Sequence, residues 1–577
     1  MRLPSTKSSS YSRLLIDSFC LLLLLVMLLL PNQRADVTLD AFVYLPLEAV
    51  ALGWILLVRG RIGWALRLIA STALALGLLV KTADMACFEI YARPFNPIFD
   101  AYLLRNGLHL LEGVLGYVGA ILVAVFLAAF ALGLIWLAFW LLGRLAQRLD
   151  IARQELKQSY RFATAILLTA IPAGLWLGDR AATPFYDLLA SHWIDTNASI
   201  QELANFKHEI AANRDLQADL PGQQLFNRLK GKDFLLVFIE SYGRSALDNP
   251  EFGDQLRPLL QQGGEQLEKA GLHSRSAYLT SPTMGGLSWL AQGTALSGLW
   301  INSQVRYDSL VMSQRASLNQ LFRRAGWRMV AVKPAITLDW PEGTYFGYDQ
   351  VYTAPDLGYQ GKPFDWVTMP DQYTLSAFEA LERKPGQRPN DKPVMAEVAL
   401  ISSHAPWTPV PKLVSWQDVK NGKIFDSQAT SGDSAEYVWQ DDERIRSQYR
   451  QAVAYSLETV MSYAQTYGDD NLVILAFGDH QPAPLVTGDT PSRDVPVHLI
   501  ARDPAVLDAI ADWQWTRGML PDDHAPQWPM SDLRDQLVGA FSNAAPALTA
   551  IHTPERAGIE SAPGKADTTH QPQKEQL

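Results

Sequence analysis

The sequence predicts two unlike halves: a multi-pass α-helical membrane domain, then an α/β domain with a mostly parallel central sheet covered by helices. Three observations carry this expectation. The long apolar runs lie before Gly178, and the composition after that point is that of an ordinary soluble enzyme. Beyond Gly178, short apolar runs alternate with helical patterns, the order expected of a parallel sheet with helical crossovers. Two of those runs, Phe234 to Ile239 and Asn471 to Phe477, have no helical spacing and lead straight into Glu240 and into Asp479 and His480, as buried parallel strands do when they end at a functional rim.

The first half reads as five spans. Leu14 to Leu30, Ala41 to Val58, Ile62 to Val80, Leu115 to Leu142 and Phe162 to Leu177 are each apolar and about long enough for a helix to cross a hydrocarbon core of roughly 30 Å. Arg2, Lys7 and Arg13 before the first run resemble a signal peptide, but the runs that follow argue for a membrane domain. Arg59 and Arg61, then Arg144, Arg148, Arg153, Lys157 and Arg161, fall in the second and fourth connections, which makes that side and the N-terminus cytoplasmic. An odd number of spans puts everything after Gly178 outside. The third connection, Asp84 to Gly107, reads either as an amphipathic segment along the membrane surface or as a packed loop.

Thr183 to Leu220 has helical spacing, with Ile200, Leu203, Phe206 and Ile210 on one face. The expected division is a membrane domain over 1–178, a helical linker over 179–232, a catalytic domain over 233–552 and a disordered polar tail over 553–577. Within the third part the pattern predicts helices over Ser313 to Ala325, Asp371 to Arg383, Arg444 to Tyr467 and Ser531 to Phe541. Strands are expected over Met329 to Lys333, Val394 to Ile401 and Val495 to Ala501.

Composition narrows the chemistry. A net charge of −10 with no Lys/Arg cluster in the soluble half argues against nucleic acid as a partner. The two cysteines, Cys20 and Cys87, lie in the first half, so neither a disulfide framework nor a thiolate zinc site is available and any metal must use oxygen and nitrogen ligands.

Four strand-end features share the expected rim: Glu240 with Ser241, the Asp479–His480 pair, His404 after Val394 to Ile401, and the hydroxyl-bearing stretch Tyr278 to Gly298. A histidine in such a place can protonate a leaving oxygen. A hydroxyl entering a helix N-terminus sits where free N–H groups favour phosphate, although Ser and Thr are also the commonest helix caps.

FIESYG from Phe238, SPTMGG from Ser281, SSHAP from Ser402 and FGDHQP from Phe477, in this order, resemble the sulfatase-like branch of the alkaline phosphatase superfamily. The architecture is most similar to membrane phosphotransferases such as lipoteichoic acid synthases, periplasmic glucan phosphoglycerol transferases and lipid A phosphoethanolamine transferases. WPEGTYFGYDQVY, from Trp340, is also similar to a stretch of lipoteichoic acid synthases. The resemblance implies that Glu240, Asp479 and His480 bind one divalent metal together with the nucleophilic hydroxyl, that His404 faces the phosphate, and that Trp340 and Ser241 contribute to substrate binding. Two nucleophiles remain open. Thr283 is preferred because Gly286 follows it three residues later, and Ser288 is the alternative if Leu296 to Gly298 ends the family signature.

Two departures qualify the resemblance. The family's arginine after the tryptophan is missing, since Pro341 and Glu342 follow Trp340, and this domain has no cysteine where lipid A phosphoethanolamine transferases carry disulfides. A formylglycine sulfatase is disfavoured, because neither hydroxyl has the proline and arginine of that motif. The ligand set suits Mn²⁺ or Zn²⁺, and Mg²⁺ less well because of the imidazole.

The function so implied is transfer of phosphoglycerol or phosphoethanolamine from a membrane phospholipid to a glycan or glycolipid hydroxyl, through a phospho-threonine, on the outer face of a bacterial cytoplasmic membrane. The alternatives are a membrane-anchored phosphodiesterase or sulfatase-type hydrolase, and a binding or regulatory module whose catalytic apparatus has decayed.

Overall fold

The computed structural model describes residues 7–155 except 92, 181–212, 220–384 except 338, 339 and 341, and 391–542 except 489–491. Phe162 to Leu177 and the tail after Thr553 lie outside the described residues.

The N-terminal half contains α1 (Lys7–Leu29), α2 (Glu48–Leu57), α3 (Gly60–Tyr91) and α4 (Ala101–Glu155), the last interrupted at Gly116 (φ 71°). Among the described residues, two helices are long and apolar enough to cross a membrane: Gly60–Tyr91 and Leu115–Ile151. The apolar part of α1, Leu15–Leu29, is shorter. The expected span over Ala41 to Val58 is corrected. The chain there forms a 3₁₀ turn (Leu39–Phe42), a short ladder of Leu45–Pro46 with Ala181–Ala182, and only then α2, whose 10 residues rise about 15 Å, half a bilayer core. Glu48, the first residue of α2, accepts hydrogen bonds from the Phe185 and Tyr186 amides at 2.9 and 2.8 Å and so caps a distant helix, α5 (Pro184–Ala212).

Ion pairs gather the basic residues at one end of this half. Asp17 accepts from Arg144 and Arg148, and Arg59 pairs with Asp150. The opposite end of α3 reaches the C-terminal domain, where a Cβ on Gly285 would fall 1.5 Å from the Ile90 carbonyl. The connection from Asp84 to Gly107 is largely helical, α3 continuing to Tyr91 and α4 beginning at Ala101. Its turn packs rather than lying free: the Phe95 amide donates to Asp84 and Asn96 donates to Ser199.

The C-terminal domain is built on a nine-stranded sheet. Its strands are β1 (Asp233–Ile239), β2 (His273–Thr280), β3 (Arg328–Lys333), β4 (Gln350–Thr353), β5 (Val394–Leu400), β6 (Leu472–Gly478), β7 (Asp494–Ala501), β8 (Thr516–Arg517) and β9 (Gln527–Pro529). The order is β8-β2-β7-β6-β1-β5-β3-β4, with β9 also on β2. From β6 to β4 every pair is parallel; β7 is antiparallel to β6 and to β2, and β2 to β8. The mostly parallel expectation therefore holds, with an antiparallel edge on one side. β1 is central and buried at every residue, which its unbroken apolar run requires.

Helices cover both faces. α6 (Pro250–Lys269) and α8 (Asp442–Tyr467) belong to one apolar layer; α7 (Ser288–Ser297) and the helix Leu318–Arg324 belong to the other. The expected helix from Ser313 starts later, at Leu318, because Ser317 caps it by accepting from the Gln320 amide. The expected helix over Asp371 to Arg383 closes in a π turn from Glu379.

Candidate active site

Register places the chemistry. Ile239 stands opposite Leu400 on one side and Gly478 on the other, so Glu240, Ile401 and Asp479 leave three adjacent strands at the same level. The strand ends are cross-tied. Glu240 N donates to Leu400 O, Asp479 N to Ile239 O, and Ser403 Oγ to Glu240 O at 2.6 Å. A Cβ on Gly478 would fall 1.9 Å from the Tyr242 carbonyl, so the two loops can approach only with glycine there.

Glu240, Asp479 and His480 each offer a ligand atom, and those atoms all lie within 4.8 Å of one another. All three side chains are buried. Asp479 Oδ1 is fixed by the Ser241 and His480 amides at 2.9 and 2.8 Å. The His480 Nδ1 proton is donated to the Gln481 carbonyl at 2.8 Å, which turns Nε2 toward Glu240 Oε1 at 3.2 Å. Charges in this confined space perturb one another. Burial alone would raise the Glu240 carboxyl, but the hydrogen bond and charge of His480 outweigh it and hold Glu240 below the ordinary range. Burial and then the Glu240 charge push Asp479 up to about 7. Burial opposes protonation of His480, yet the Asp479 charge and the Glu240 hydrogen bond raise it to about 9.

Ser288 completes the cluster. Its Oγ donates to Glu240 Oε2 at 3.0 Å and lies 3.2 Å from His480 Nε2. It is the first residue of α7, and Leu287 before it adopts a left-handed φ of 65° that swings the helix start onto the strand ends. Of the two candidate hydroxyls, Ser288 is the one hydrogen-bonded to the cluster. Thr283 Oγ1 is buried with no hydrogen-bond partner among the described residues, and it lines a different cavity. The Gly285 amide donates to Gln481 O and ties this loop to the strand end.

Glu240 and Ser288 sit in a cavity of about 580 Å³ walled by Trp289, Trp340, Trp366 and Tyr307, with His404 and Lys333 as its basic groups. His404 lines this cavity with its Nδ1–H bonded to the Ala405 carbonyl at 2.6 Å. Trp340 lines the cavity too. Ser241 does not; its hydroxyl donates to Glu240 Oε1 at 3.2 Å and steadies that carboxylate. Lys333 is the residue the sequence reading missed. It ends β3, pairs with buried Glu397, donates to Gln292 at 2.8 Å and lies 5.8 Å from the Trp340 ring centroid. The signal was present: a lysine closing an apolar strand at the same rim as Glu240.

The sulfatase family model matches residues 232–507. No curated protein sequence matches the chain. Among solved structures, the chain is similar to the Streptococcus pyogenes phosphoglycerol transferase GacH in complex with sn-glycerol-1-phosphate (12% identity, 63% of this chain and 88% of that one, TM-score 0.38). It is also similar to the lipoteichoic acid synthase LtaP of Listeria monocytogenes (15%, 54% and 72%, TM-score 0.35). A third is the zinc complex of the periplasmic domain of Escherichia coli EcEptC (15%, 53% and 82%, TM-score 0.36). The stretch matched by the sulfatase model, residues 232–507, carries all the strand-end residues of the site.

Proposed function

We propose that this protein is a membrane-anchored, metal-dependent phosphotransferase. It moves a phospho-head group, phosphoglycerol or phosphoethanolamine, from a membrane phospholipid to a glycan or glycolipid hydroxyl through a phosphoserine on Ser288. The observation that carries this reading is the Ser288 hydroxyl, held at the N-terminus of α7 within hydrogen-bond reach of both Glu240 and His480 at the floor of a cavity.

The three buried ligands fit a divalent cation. Two carboxylates and an imidazole whose Nδ1 is already committed to Gln481 present two oxygens and one nitrogen to one point. A bound Mn²⁺ or Zn²⁺ would neutralise their charge, lower the serine pKa and polarise a phosphoryl oxygen.

The chain's own residues do the rest. Ser288 Oγ attacks phosphorus, its proton passing toward Glu240, to which it is hydrogen-bonded. The phosphorus–oxygen bond to diacylglycerol breaks, and His404, in the same cavity, supplies the proton to the leaving oxygen. The α7 amides face the phosphoryl oxygens. An acceptor hydroxyl then gives its proton to His404 and attacks the phosphoserine, restoring Ser288. Trp340 and Trp366 offer flat apolar walls for a head group or sugar, and Lys333 a cation.

The membrane half supports a lipid donor. Phe126, Phe130 and Trp136 on α4 are 66, 53 and 66% exposed, an apolar surface unlike that of a soluble core helix. The basic residues lie at the end of the bundle opposite to that which meets the catalytic domain. This supports a cytoplasmic N-terminus and an extracytoplasmic domain. Incubating the full-length protein with labelled phosphatidylglycerol or phosphatidylethanolamine, with and without a glycan acceptor, tests the reading. Labelled acceptor supports transfer; label released only to water makes the protein a hydrolase.

A further inference from the structure

A second cavity, of about 370 Å³, lies on the other side of the loop that carries the nucleophile. Leu287 lines it, while the next residue, Ser288, lines the catalytic cavity. Its far wall belongs to the membrane half: Tyr91 at the end of α3 and the turn from Arg93 to Phe99. Gly285 (φ 73°) fixes this junction, since its Cα packs against the Ile90 carbonyl.

The polar lining is built for a ligand. Arg93 and Arg493 both line the cavity, close enough for their charges to act on one another: burial, and then Arg93, lower the Arg493 pKa. Arg493 is held by a bond to the Pro282 carbonyl at 3.0 Å, and Arg93 is bound through both terminal nitrogens by Asp100, at 2.8 and 2.5 Å. Thr283, 5% exposed, presents a hydroxyl with no partner among the described residues. Asn302 Oδ1, also buried, has no donor among the described residues. Asp195 of α5 adds one carboxylate to the same lining. The Arg493 guanidinium and the Thr283 hydroxyl suit a phosphate, with the Asp100-paired Arg93 beside them, and an amide oxygen and a carboxylate suit the hydroxyl or ammonium groups of a small head group. The apolar side, Tyr91, Phe95 and Phe99, continues from the end of a membrane-length helix.

From this juxtaposition we infer that the cavity between the α3–α4 turn and the Thr283–Leu287 loop binds the phosphate and head group of a membrane phospholipid, as a site separate from the metal cluster. The inference rests on the reading of a lipid-fed transferase, and its test is independent of turnover. Full-length Ser288→Ala protein in detergent is titrated calorimetrically with dihexanoyl phosphatidylglycerol, inorganic phosphate and dihexanoyl glycerol. The short-chain phospholipid should bind tightly; Arg493→Gln should weaken it at least tenfold, Arg493→Lys should restore part of the loss, and Thr283→Val should weaken it without affecting the fold. Equal affinity in the parent, Arg493→Gln and Thr283→Val proteins overturns the site. Phosphate binding as tightly as the phospholipid leaves only a free-anion site, and dihexanoyl glycerol doing so leaves only an apolar groove; either result overturns the lipid assignment. Binding that behaves as expected in a protein whose Ser288 parent shows no transfer would sink the catalytic reading alone.

Discussion

Ser288 Oγ donates a 3.0 Å hydrogen bond to Glu240 Oε2 across 48 residues of chain. It joins a helix start to a strand end and puts a nucleophilic hydroxyl against a buried carboxylate. If that contact is chemical rather than a helix cap, Ser288→Ala should lower turnover on the order of 10³-fold or more while the protein keeps its fold and metal content. A loss of only a few fold, read by the rate of head-group release, would make Ser288 a cap.

Asp479→Asn isolates the metal site. The amide oxygen can still accept from the Ser241 and His480 amides, so the loop geometry is preserved while the ligand charge is removed. Metal affinity should fall by at least about 100-fold. Elemental analysis of the purified full-length variant, compared with the parent after equal exposure to Mn²⁺ or Zn²⁺, gives the answer; equal content places the metal elsewhere.

A stability prediction concerns Arg383. Its guanidinium, 2% exposed, bonds Asp233 at 3.0 Å, Glu379 at 2.8 Å and Asp469 at 3.1 Å, and Asp233 in turn accepts from the Val394 amide, fastening the starts of β1 and β5. Arg383→Met fills the space but takes the Arg383 charge away from buried Asp233, a cost of about 3–5 kcal/mol. Denaturant unfolding followed by tryptophan fluorescence should show this loss. A change within about 0.5 kcal/mol would mean that Asp233 finds other compensation.

The pH dependence should bear the mark of His498. It is fully buried between Ser276 and Tyr242, and because Ser276 gives its proton to the Gly518 carbonyl, the ring donates from Nδ1 and accepts at Nε2. Burial depresses its pKa to about 3. The unfolded chain takes up this proton near pH 6.5 and the folded chain does not, so the contribution is complete above that pH and is lost as pH falls toward 3, at about 1.4 kcal/mol per pH unit. His498→Gln should be less stable than the parent at pH 8 but decline less steeply from pH 6 to 4. Parallel melting curves for the two proteins would rule out this role.

The strands at the centre of the sheet were legible because each is buried on both faces, which leaves a continuous apolar run in the sequence, and Glu240, His404, Asp479 and His480 follow such runs. The strand His273–Thr280, one in from the edge, was not, since Ser274, Arg275 and Ser276 break its apolar pattern, its arginine lying against the short strand β8. The choice between Thr283 and Ser288 was also beyond the sequence. Both hydroxyls flank the same Gly-Gly turn, and what brings Ser288 to Glu240 and His480 is backbone geometry: the left-handed Leu287 and the bond from Gly285 to Gln481 on another strand end. The short α2 escaped for a similar reason. Its run is apolar from Ala41, but pairing of Leu45–Pro46 with Ala181–Ala182 delays the helix, and that partner is far away in sequence.

The central claim is a covalent phosphoserine, and the most direct measurement is peptide mass spectrometry of the full-length enzyme quenched seconds after exposure to donor phospholipid without acceptor. The account predicts a phospho-head-group adduct on Ser288 that disappears when a glycan acceptor is added. An adduct on Thr283, or none on any residue while donor is consumed, would contradict it.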